Sequence, residues 1–298
     1  MKELKGIIAP VPTAFDENEE LALDRLSDNL KQWAETRLSG FLLLGSTGEF
    51  VYLNTDEKKE VLERARQVIP QDKIMLAGTG CESTRETIAL TRWAGNLDID
   101  YALVVNPFYY KIGMKPEILR AHYEAVAEAS PIPIMIYNIP IFTSLNMEAD
   151  FVLELASHPN IVGIKDSAPN VLQAQTICQS APEGFAVLTG AASLLLACLM
   201  VGASGGILAA ANVAYDLSVD CYDACRKRDL VRARELQRRL VAVNQAMTAQ
   251  FGIGALKALL DGMGFYGGPP RRPLRRPSTE IQDKLVQIYT ENCLQEVS

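Results

Sequence analysis

Lys165 is the residue of this sequence that most directly suggests covalent chemistry. It ends the short apolar run 161–165, and in an extended strand its side chain would share a face with Gly163 and Ile161. Gly163 would leave space beside the amine. An amine held away from water is more readily neutral and nucleophilic, so it could condense with a 2-oxo acid to give an imine. Position alone favours the more ordinary interpretation, a lysine that emerges into solvent where a strand ends.

Two further features could assist such an amine. Tyr137 ends the preceding apolar run, and a phenol can relay protons while a carbinolamine becomes an imine. Taken alone, it is equally typical of an amphipathic tyrosine at a rim. Residues 45–48, Gly-Ser-Thr-Gly, offer backbone N–H groups and the hydroxyls of Ser46 and Thr47. Such a turn suits a carboxylate, although a run of this kind is usually only a turn.

Eight short apolar runs, each ended by a polar or glycine-rich turn, provide the elements that would position these residues. They are residues 6–11, 41–44, 74–77, 101–105, 134–137, 161–165, 185–188 and 206–209. Stretches suited to helices separate them, and runs that are apolar on both faces are typical of covered parallel strands. The pattern predicts an α/β fold, a (β/α)8 TIM barrel, whose catalytic residues lie at the carboxyl ends of the strands.

After the eighth run the sequence becomes helical. We predict a barrel domain over residues 1–212, and over residues 213–298 the last barrel helix with a C-terminal helical extension. Amphipathic stretches at 217–243 and 280–296 flank a shorter one at 253–263. A turn-rich connector, 267–273, precedes the last stretch and begins a basic cluster at 271–276, which we expect to be solvated surface. Ser83 and Glu86 have the spacing of a capping box.

Composition narrows the possible partners. The formal net charge of the 298 residues is −7, so the chain as a whole does not attract nucleic acid or an anionic membrane electrostatically.

Residues 193–214 are almost wholly apolar and long enough to span a bilayer. Because Gly202, Gly205 and Gly206 interrupt this stretch, we favour a buried helix followed by a buried strand.

The cysteines and glycines give no indication of a cofactor. The six cysteines form no Cys-x-x-Cys pair, which predicts reduced thiols in a cytoplasmic protein. Cys221 and Cys225 could share a helix face, but the chain has only two histidines to complete a zinc site. The glycine spacing matches neither a P-loop nor a dinucleotide-binding turn. We therefore expect neither a metal nor an organic cofactor.

As a set, the motifs at the strand ends resemble those of the dihydrodipicolinate synthase / N-acetylneuraminate lyase family. They are residues 45–49 (Gly-Ser-Thr-Gly-Glu), 107–109 (Pro-Phe-Tyr), 137–140 (Tyr-Asn-Ile-Pro), 163–166 (Gly-Ile-Lys-Asp) and 211–213 (Ala-Asn-Val). The likeness covers nearly the whole chain. It implies a class I aldolase in which Lys165 forms a Schiff base with pyruvate, while Tyr137 relays protons and contacts the substrate.

The resemblance also implies roles for residues around this pair. Ser46 and Tyr109 would complete the proton relay, with Tyr109 reaching into a neighbouring subunit of a homotetramer. Backbone groups of Ser46 and Thr47 would hold the pyruvate carboxylate. The main-chain carbonyl of Ile207 would face the bound ligand.

The aldehyde half of the substrate is less well specified. Dihydrodipicolinate synthases resemble one another in an arginine five residues after the Tyr137 position, where this sequence has Phe142. An apolar ring cannot replace a guanidinium that grips a carboxylate, and Asp166–Ser167 fits the sialic-acid lyases poorly. Residues 76–84, 157–167 and 265–269 resemble 4-hydroxy-2-oxoglutarate aldolases. We therefore expect reversible cleavage of 4-hydroxy-2-oxoglutarate to pyruvate and glyoxylate.

Four alternatives stay open at this point. Aldolases for 2-keto-3-deoxy sugar acids share the same core. A dihydrodipicolinate synthase is possible if a cation from the cluster 271–276 folds back to supply the missing charge. A Schiff-base dehydratase of the same fold would expel a β-hydroxyl from its substrate. A barrel without catalytic activity could serve as a binding module, although such a module would have no need of the lysine, tyrosine and hydroxyl together.

Overall fold

The structure of the protein, a computed structural model, describes residues 2–294, without the side chains of Thr248 and Ala249. Eight parallel strands follow one another around a closed barrel, and β8 pairs with β1. They are β1 (Gly6–Pro10), β2 (Gly40–Leu43), β3 (Ile74–Gly78), β4 (Tyr101–Val105), β5 (Ile134–Asn138), β6 (Ile161–Asp166), β7 (Ala186–Thr189) and β8 (Gly205–Ile207). The predicted (β/α)8 barrel is confirmed.

Helices surround this barrel and continue beyond it. They are α1 (Leu23–Ala34), α2 (Thr55–Val68), α3 (Thr84–Gly95), α4 (Pro116–Ala129), α5 (Pro140–Thr143), α6 (Ala149–Leu155), α7 (Val171–Ser180), α8 (Leu195–Met200), α9 (Tyr215–Arg226), α10 (Leu230–Asn244), α11 (Gly252–Gly262) and α12 (Thr279–Tyr289). A full capping box begins α2: the side chains of Asn54 and Glu57 each accept a hydrogen bond from the backbone N–H of the other residue. At α3, Ser83 accepts from the Glu86 N–H, which is one half of the predicted box.

The register of the strands decides which side chains enter the barrel. Lys165 on β6 lies opposite Tyr137 on β5, so the two side chains point to the same side of the sheet. A register shift leaves Val162 as an extra residue between the pairs that Ile161 and Gly163 make with β5. Consequently Ile161 packs in the outer core under the helices. The prediction that Lys165 shares a face with Gly163 is confirmed, and the same prediction for Ile161 is wrong because the bulge interrupts the alternation.

The C-terminal helices pack on the barrel as part of the same hydrophobic core. The stretch expected to be helical from 217 to 243 is two helices, α9 and α10, because Arg228 adopts a left-handed conformation, with φ of 63°, between them. The division of the chain at residue 212 stays a prediction.

The apolar stretch 193–214 forms α8 and the buried strand β8, as favoured above. Within residues 2–294, no helix has the length and apolarity needed to cross a membrane.

Candidate active site

The carboxyl ends of β5 and β6 and the turn after β2 bring three predicted residues together. The Nζ atom of Lys165 lies 4.2 Å from the centre of the Tyr137 ring, and the Tyr137 hydroxyl lies 3.3 Å from Oγ of Ser46. Lys165 is only 4% exposed, which removes the interpretation of a lysine emerging into solvent. Among the described residues, no carboxylate forms an ion pair with it. We call these three side chains the Lys165 cluster.

Gly190, directly after β7, gives the Lys165 amine its space. A Cβ atom at Gly190 would stand 3.2 Å from Cε of Lys165 and 1.9 Å from Oγ of Ser167. Gly163 was expected to leave that space, but its role is different. A Cβ at Gly163 would lie 2.6 Å from the carbonyl oxygen of Ala186, so this glycine allows β7 to approach β6 closely.

Asp166 follows Lys165 and therefore faces the helices outside the barrel. Its carboxylate accepts hydrogen bonds from Asn138 Nδ2, Gln173 Nε2 and the Ala168 N–H, each at 2.9 Å. Burial raises the pKa of Asp166, while these donors act in the opposite direction. The bonds join the ends of β5 and β6 to α7, and so they fix the two strand ends that carry the amine and the phenol.

The turn after β2 is a tight 3-10 turn over Ser46–Gly48, and it is held from both ends. The hydroxyl of Thr13 donates to the Gly48 carbonyl at 2.6 Å, and the Glu49 N–H donates to the Ser46 carbonyl at 3.1 Å. No acceptor among the described residues engages the N–H groups of Ser46 or Thr47. Successive N–H groups left open in a tight turn suit an anion. We call this segment the carboxylate turn.

The structure does not bring Tyr109 into the Lys165 cluster of its own chain. Its side chain is 75% exposed, and its ring packs against that of Tyr110 with centroids 5.0 Å apart. The Tyr109 N–H donates to the carboxylate of Glu82 at 2.9 Å, which fixes the loop rather than the ring. Ile207 lies on β8 with its side chain packed in the barrel interior. The role of its main-chain carbonyl stays a prediction.

Two residues beside the carboxylate turn were not predicted to have a role. Glu49 ends the turn, and its Oε1 lies 2.6 Å from the Nζ atom of Lys257 on α11. Burial lowers the pKa of Lys257, while the Glu49 carboxylate acts in the opposite direction. The second oxygen of Glu49 accepts from the backbone N–H of Arg271 at 2.9 Å.

The Arg271 side chain does not lie on the solvated surface expected for the basic cluster 271–276. Its guanidinium is mostly buried and pairs with Glu57 at 2.6 Å, so that expectation is wrong for this residue.

The six cysteines are all free thiols. Burial raises the pKa of the Cys221 thiol to about 12, which favours its protonated form. Within the part of the chain that the structure describes, no group of three or more His, Cys, Asp or Glu side chains could hold a metal ion.

Comparison with known proteins agrees with this geometry. The chain matches the dihydrodipicolinate synthetase family over residues 3–292. It is 35% identical, over 91% of this chain and 93% of the relative, to a 4-hydroxy-tetrahydrodipicolinate synthase of Methanoculleus marisnigri. It is 32% identical, over 96% and 94%, to a probable mitochondrial 4-hydroxy-2-oxoglutarate aldolase of Emericella nidulans. The crystal structure of a dihydrodipicolinate synthase from Bacillus anthracis has a TM-score of 0.93 at 27% identity, covering 97% of this chain and 98% of that one.

Proposed function

Because the chain belongs to the dihydrodipicolinate synthetase family, we propose that it catalyses the reversible cleavage of 4-hydroxy-2-oxoglutarate to pyruvate and glyoxylate. Family membership itself makes the protein a carbon–carbon lyase that acts on pyruvate. The observation that supports a Schiff-base mechanism is the Lys165 cluster: a buried amine, a phenol and a hydroxyl that meet at one end of the barrel.

The proposed reaction begins when the Lys165 amine adds to the C2 carbonyl of the substrate. Tyr137 and Ser46 move the protons that turn the carbinolamine into an imine, with loss of water. The protonated imine then accepts the electron pair of the breaking C3–C4 bond, while the 4-hydroxyl proton passes to the relay and glyoxylate leaves. The enamine takes a proton at C3, and water hydrolyses the imine to release pyruvate and the free amine.

The carboxylate turn supports binding of the 2-oxo acid. Its open N–H groups at Ser46 and Thr47 would donate to the pyruvate carboxylate, and the main-chain carbonyl of Ile207 would face the ligand. A site that fixes the carboxylate also fixes C2, which must lie within reach of Lys165 for the addition to occur. The amine and the turn are connected through the hydrogen bond between Tyr137 and Ser46.

Phe142 favours the aldolase over the synthase named for several relatives. It lies on α5 after β5 and is 65% exposed, next to the exposed Ile141. The basic cluster 271–276 is a poor source of the missing cation, because three of its four guanidiniums are engaged elsewhere. Arg271 pairs with Glu57, Arg272 with Glu19, and Arg276 with Glu17 and Asp261.

We therefore expect pyruvate to condense with aspartate semialdehyde at least tenfold less efficiently than 4-hydroxy-2-oxoglutarate is cleaved, compared as kcat/KM. A semialdehyde carboxylate near Phe142 would lose water without gaining a cationic partner. Phe142→Arg should raise the efficiency of the condensation by about 10- to 150-fold, the equivalent of one charge-assisted hydrogen bond. Ile141→Arg, one residue earlier on the same helix, is the matched control. If the unaltered protein prefers the semialdehyde tenfold, the proposed substrate is wrong.

Product analysis separates the remaining alternatives. A panel of 4-hydroxy-2-oxo acids, with 2-keto-3-deoxy sugar acids included, should be assayed for pyruvate and for the aldehyde released with it. An aldolase releases both, whereas a dehydratase keeps the carbon chain whole and a binding module yields no product. Release of glyoxylate from 4-hydroxy-2-oxoglutarate faster than any aldehyde from the sugar acids supports the proposal, and the reverse order favours a sugar-acid aldolase.

The loop that carries Tyr109 supports the assembly of several copies. Tyr109, Tyr110 and Ile112 are large apolar side chains, between 75% and 91% exposed, and such patches commonly mark protein interfaces. We propose a homotetramer of two dimers in which Tyr109 of each chain completes the proton relay of a second chain.

The cytoplasmic location expected from the scattered cysteines stays a prediction.

Mixing two inactive variants should restore activity if Tyr109 acts across chains. Lys165→Ala retains Tyr109, and Tyr109→Ala retains Lys165, so each mixed dimer contains one complete site. Equal mixing gives half mixed dimers, and therefore about one quarter of the unaltered activity. The measurement is pyruvate release after the variants are dissociated and reassembled together, with the mass of the assembly checked by light scattering.

The control mixture is Lys165→Ala with Tyr137→Phe. Lys165 and Tyr137 meet within one chain, so this mixture contains no complete site and should show no activity beyond the residual turnover of Tyr137→Phe. Absence of recovery in verified mixed dimers of the first pair, or full activity of a strict monomer, would contradict the shared site.

A further inference from the structure

Lys257 is a fully buried cation outside the Lys165 cluster. It lies on α11, a helix whose other residues are mostly apolar, and it is 0% exposed. Its Nζ atom lies 2.6 Å from Glu49 Oε1, donates to the Pro269 carbonyl at 3.0 Å, and stands 4.6 Å from the centre of the Phe15 ring. Each of these three contacts stabilises a positive charge on the ammonium.

Glu49 connects Lys257 to the carboxylate turn. It is the residue that ends the turn, in a left-handed conformation with φ of 56°, which is uncommon outside glycine. Its N–H closes the turn on Ser46, while its two carboxylate oxygens meet Lys257 and the Arg271 N–H. One side chain therefore joins the end of the turn to α11 and to the connector that follows it.

Stability alone is a weak reason for such a pair. Removing two charges from water is costly, and apolar residues of similar volume often replace a buried ion pair without loss of stability. The geometric consequence is more specific. A 2.6 Å contact between two fully buried groups fixes where the Glu49 side chain lies, and with it the left-handed backbone of Glu49 that ends the turn carrying the N–H groups of Ser46 and Thr47.

We propose that Glu49 and Lys257 are positioning residues that hold the carboxylate turn in the geometry required to bind the carboxylate of pyruvate. This inference rests on the proposed function of the turn. It makes α11, a helix of the C-terminal extension, a determinant of substrate binding at the mouth of the barrel. The pair acts through the backbone of the turn and has no part in the proton transfers at Lys165.

The test is the concentration dependence of trapping by borohydride with pyruvate as the probe. Three variants are compared with the unaltered chain: Glu49→Gln, Lys257→Met and the double variant. In each single variant we expect the half-saturating pyruvate concentration to rise about tenfold, the scale of one charge-assisted hydrogen bond. The saturated trapping rate should change by less than about threefold, since the amine and the relay are intact.

The double variant separates positioning from stability. It contains no unpaired buried charge, so its melting temperature should recover relative to the single variants, while its half-saturating pyruvate concentration should stay raised. Lys2→Met is the matched control, because it removes the 2.8 Å ion pair with Asp100 near the amino ends of the strands. It should lower stability without changing the pyruvate dependence.

Three outcomes would overturn the inference. The first is an unchanged half-saturating concentration in folded single variants, and the second is its return to the original value in the double variant. The third is an equal change in Lys2→Met. If the unaltered chain traps no pyruvate at all, the proposed function fails and the inference fails with it. If the unaltered chain is trapped normally and the variants behave like it, only the inference fails.

Discussion

Lys165→Ala should lose roughly 10⁴- to 10⁶-fold in turnover, the scale seen when a covalent nucleophile is removed. In the unaltered chain, incubation with pyruvate and borohydride should leave a stable secondary amine on Lys165. Peptide mapping by mass spectrometry should find the adduct on the segment that contains Lys165 and nowhere else. Lys165 is only 4% exposed, and its amine lies 4.2 Å from the centre of the Tyr137 ring.

Folding of the variant has to be separated from loss of chemistry. Lys165→Met keeps most of the buried volume of the lysine and should be equally inactive. Lys73→Met removes a half-buried amine that donates to the carbonyls of Thr36 and Leu38, and it should be labelled at Lys165 like the unaltered chain. An adduct on a different lysine, or turnover by Lys165→Met within tenfold of the unaltered rate, would contradict the assignment of Lys165.

The barrel could be predicted because its signal is local. Each strand is a short run apolar on both faces, and eight such runs between helical stretches leave few other arrangements. The bulge at Val162 could not be predicted, because it depends on how β6 meets β5 rather than on the composition of either strand. The break between α9 and α10 had a weak signal, Asp229, whose side chain caps α10 by accepting from the Arg232 N–H.

The residues of the Lys165 cluster could be predicted because they lie at or directly after strand ends. The residues that hold this cluster in place could not be predicted. Gly190 and Gly163 look alike in sequence, and only the packing of β7 shows which of them meets the amine. Lys257 had a signal, a single lysine within an otherwise apolar helix. Its partner Glu49 lies more than 200 residues earlier, and no spacing rule joins residues so far apart in the chain. Contacts of this kind depend on the tertiary fold.

Tyr137→Phe should slow turnover by about 10²- to 10⁴-fold, the usual contribution of general acid–base catalysis. The substitution removes only the hydroxyl that lies 3.3 Å from Ser46, and it keeps the ring against Lys165. Pyruvate should therefore still bind, and the half-saturating pyruvate concentration for trapping should change little. The measurements are the saturated rate of imine trapping and the rate of pyruvate release from 4-hydroxy-2-oxoglutarate.

Tyr123→Phe is the matched control, because Tyr123 is also buried and donates its hydroxyl to the Val104 carbonyl at 3.0 Å, outside the barrel mouth. It should cost stability of about 1 kcal/mol, as for one buried hydrogen bond, and leave the rate unchanged. Ser46→Ala should slow the reaction less than Tyr137→Phe, and the double variant should be little worse than Tyr137→Phe, since both groups serve one relay. An unchanged rate in Tyr137→Phe would remove the phenol from the mechanism and leave Lys165 without its proton donor.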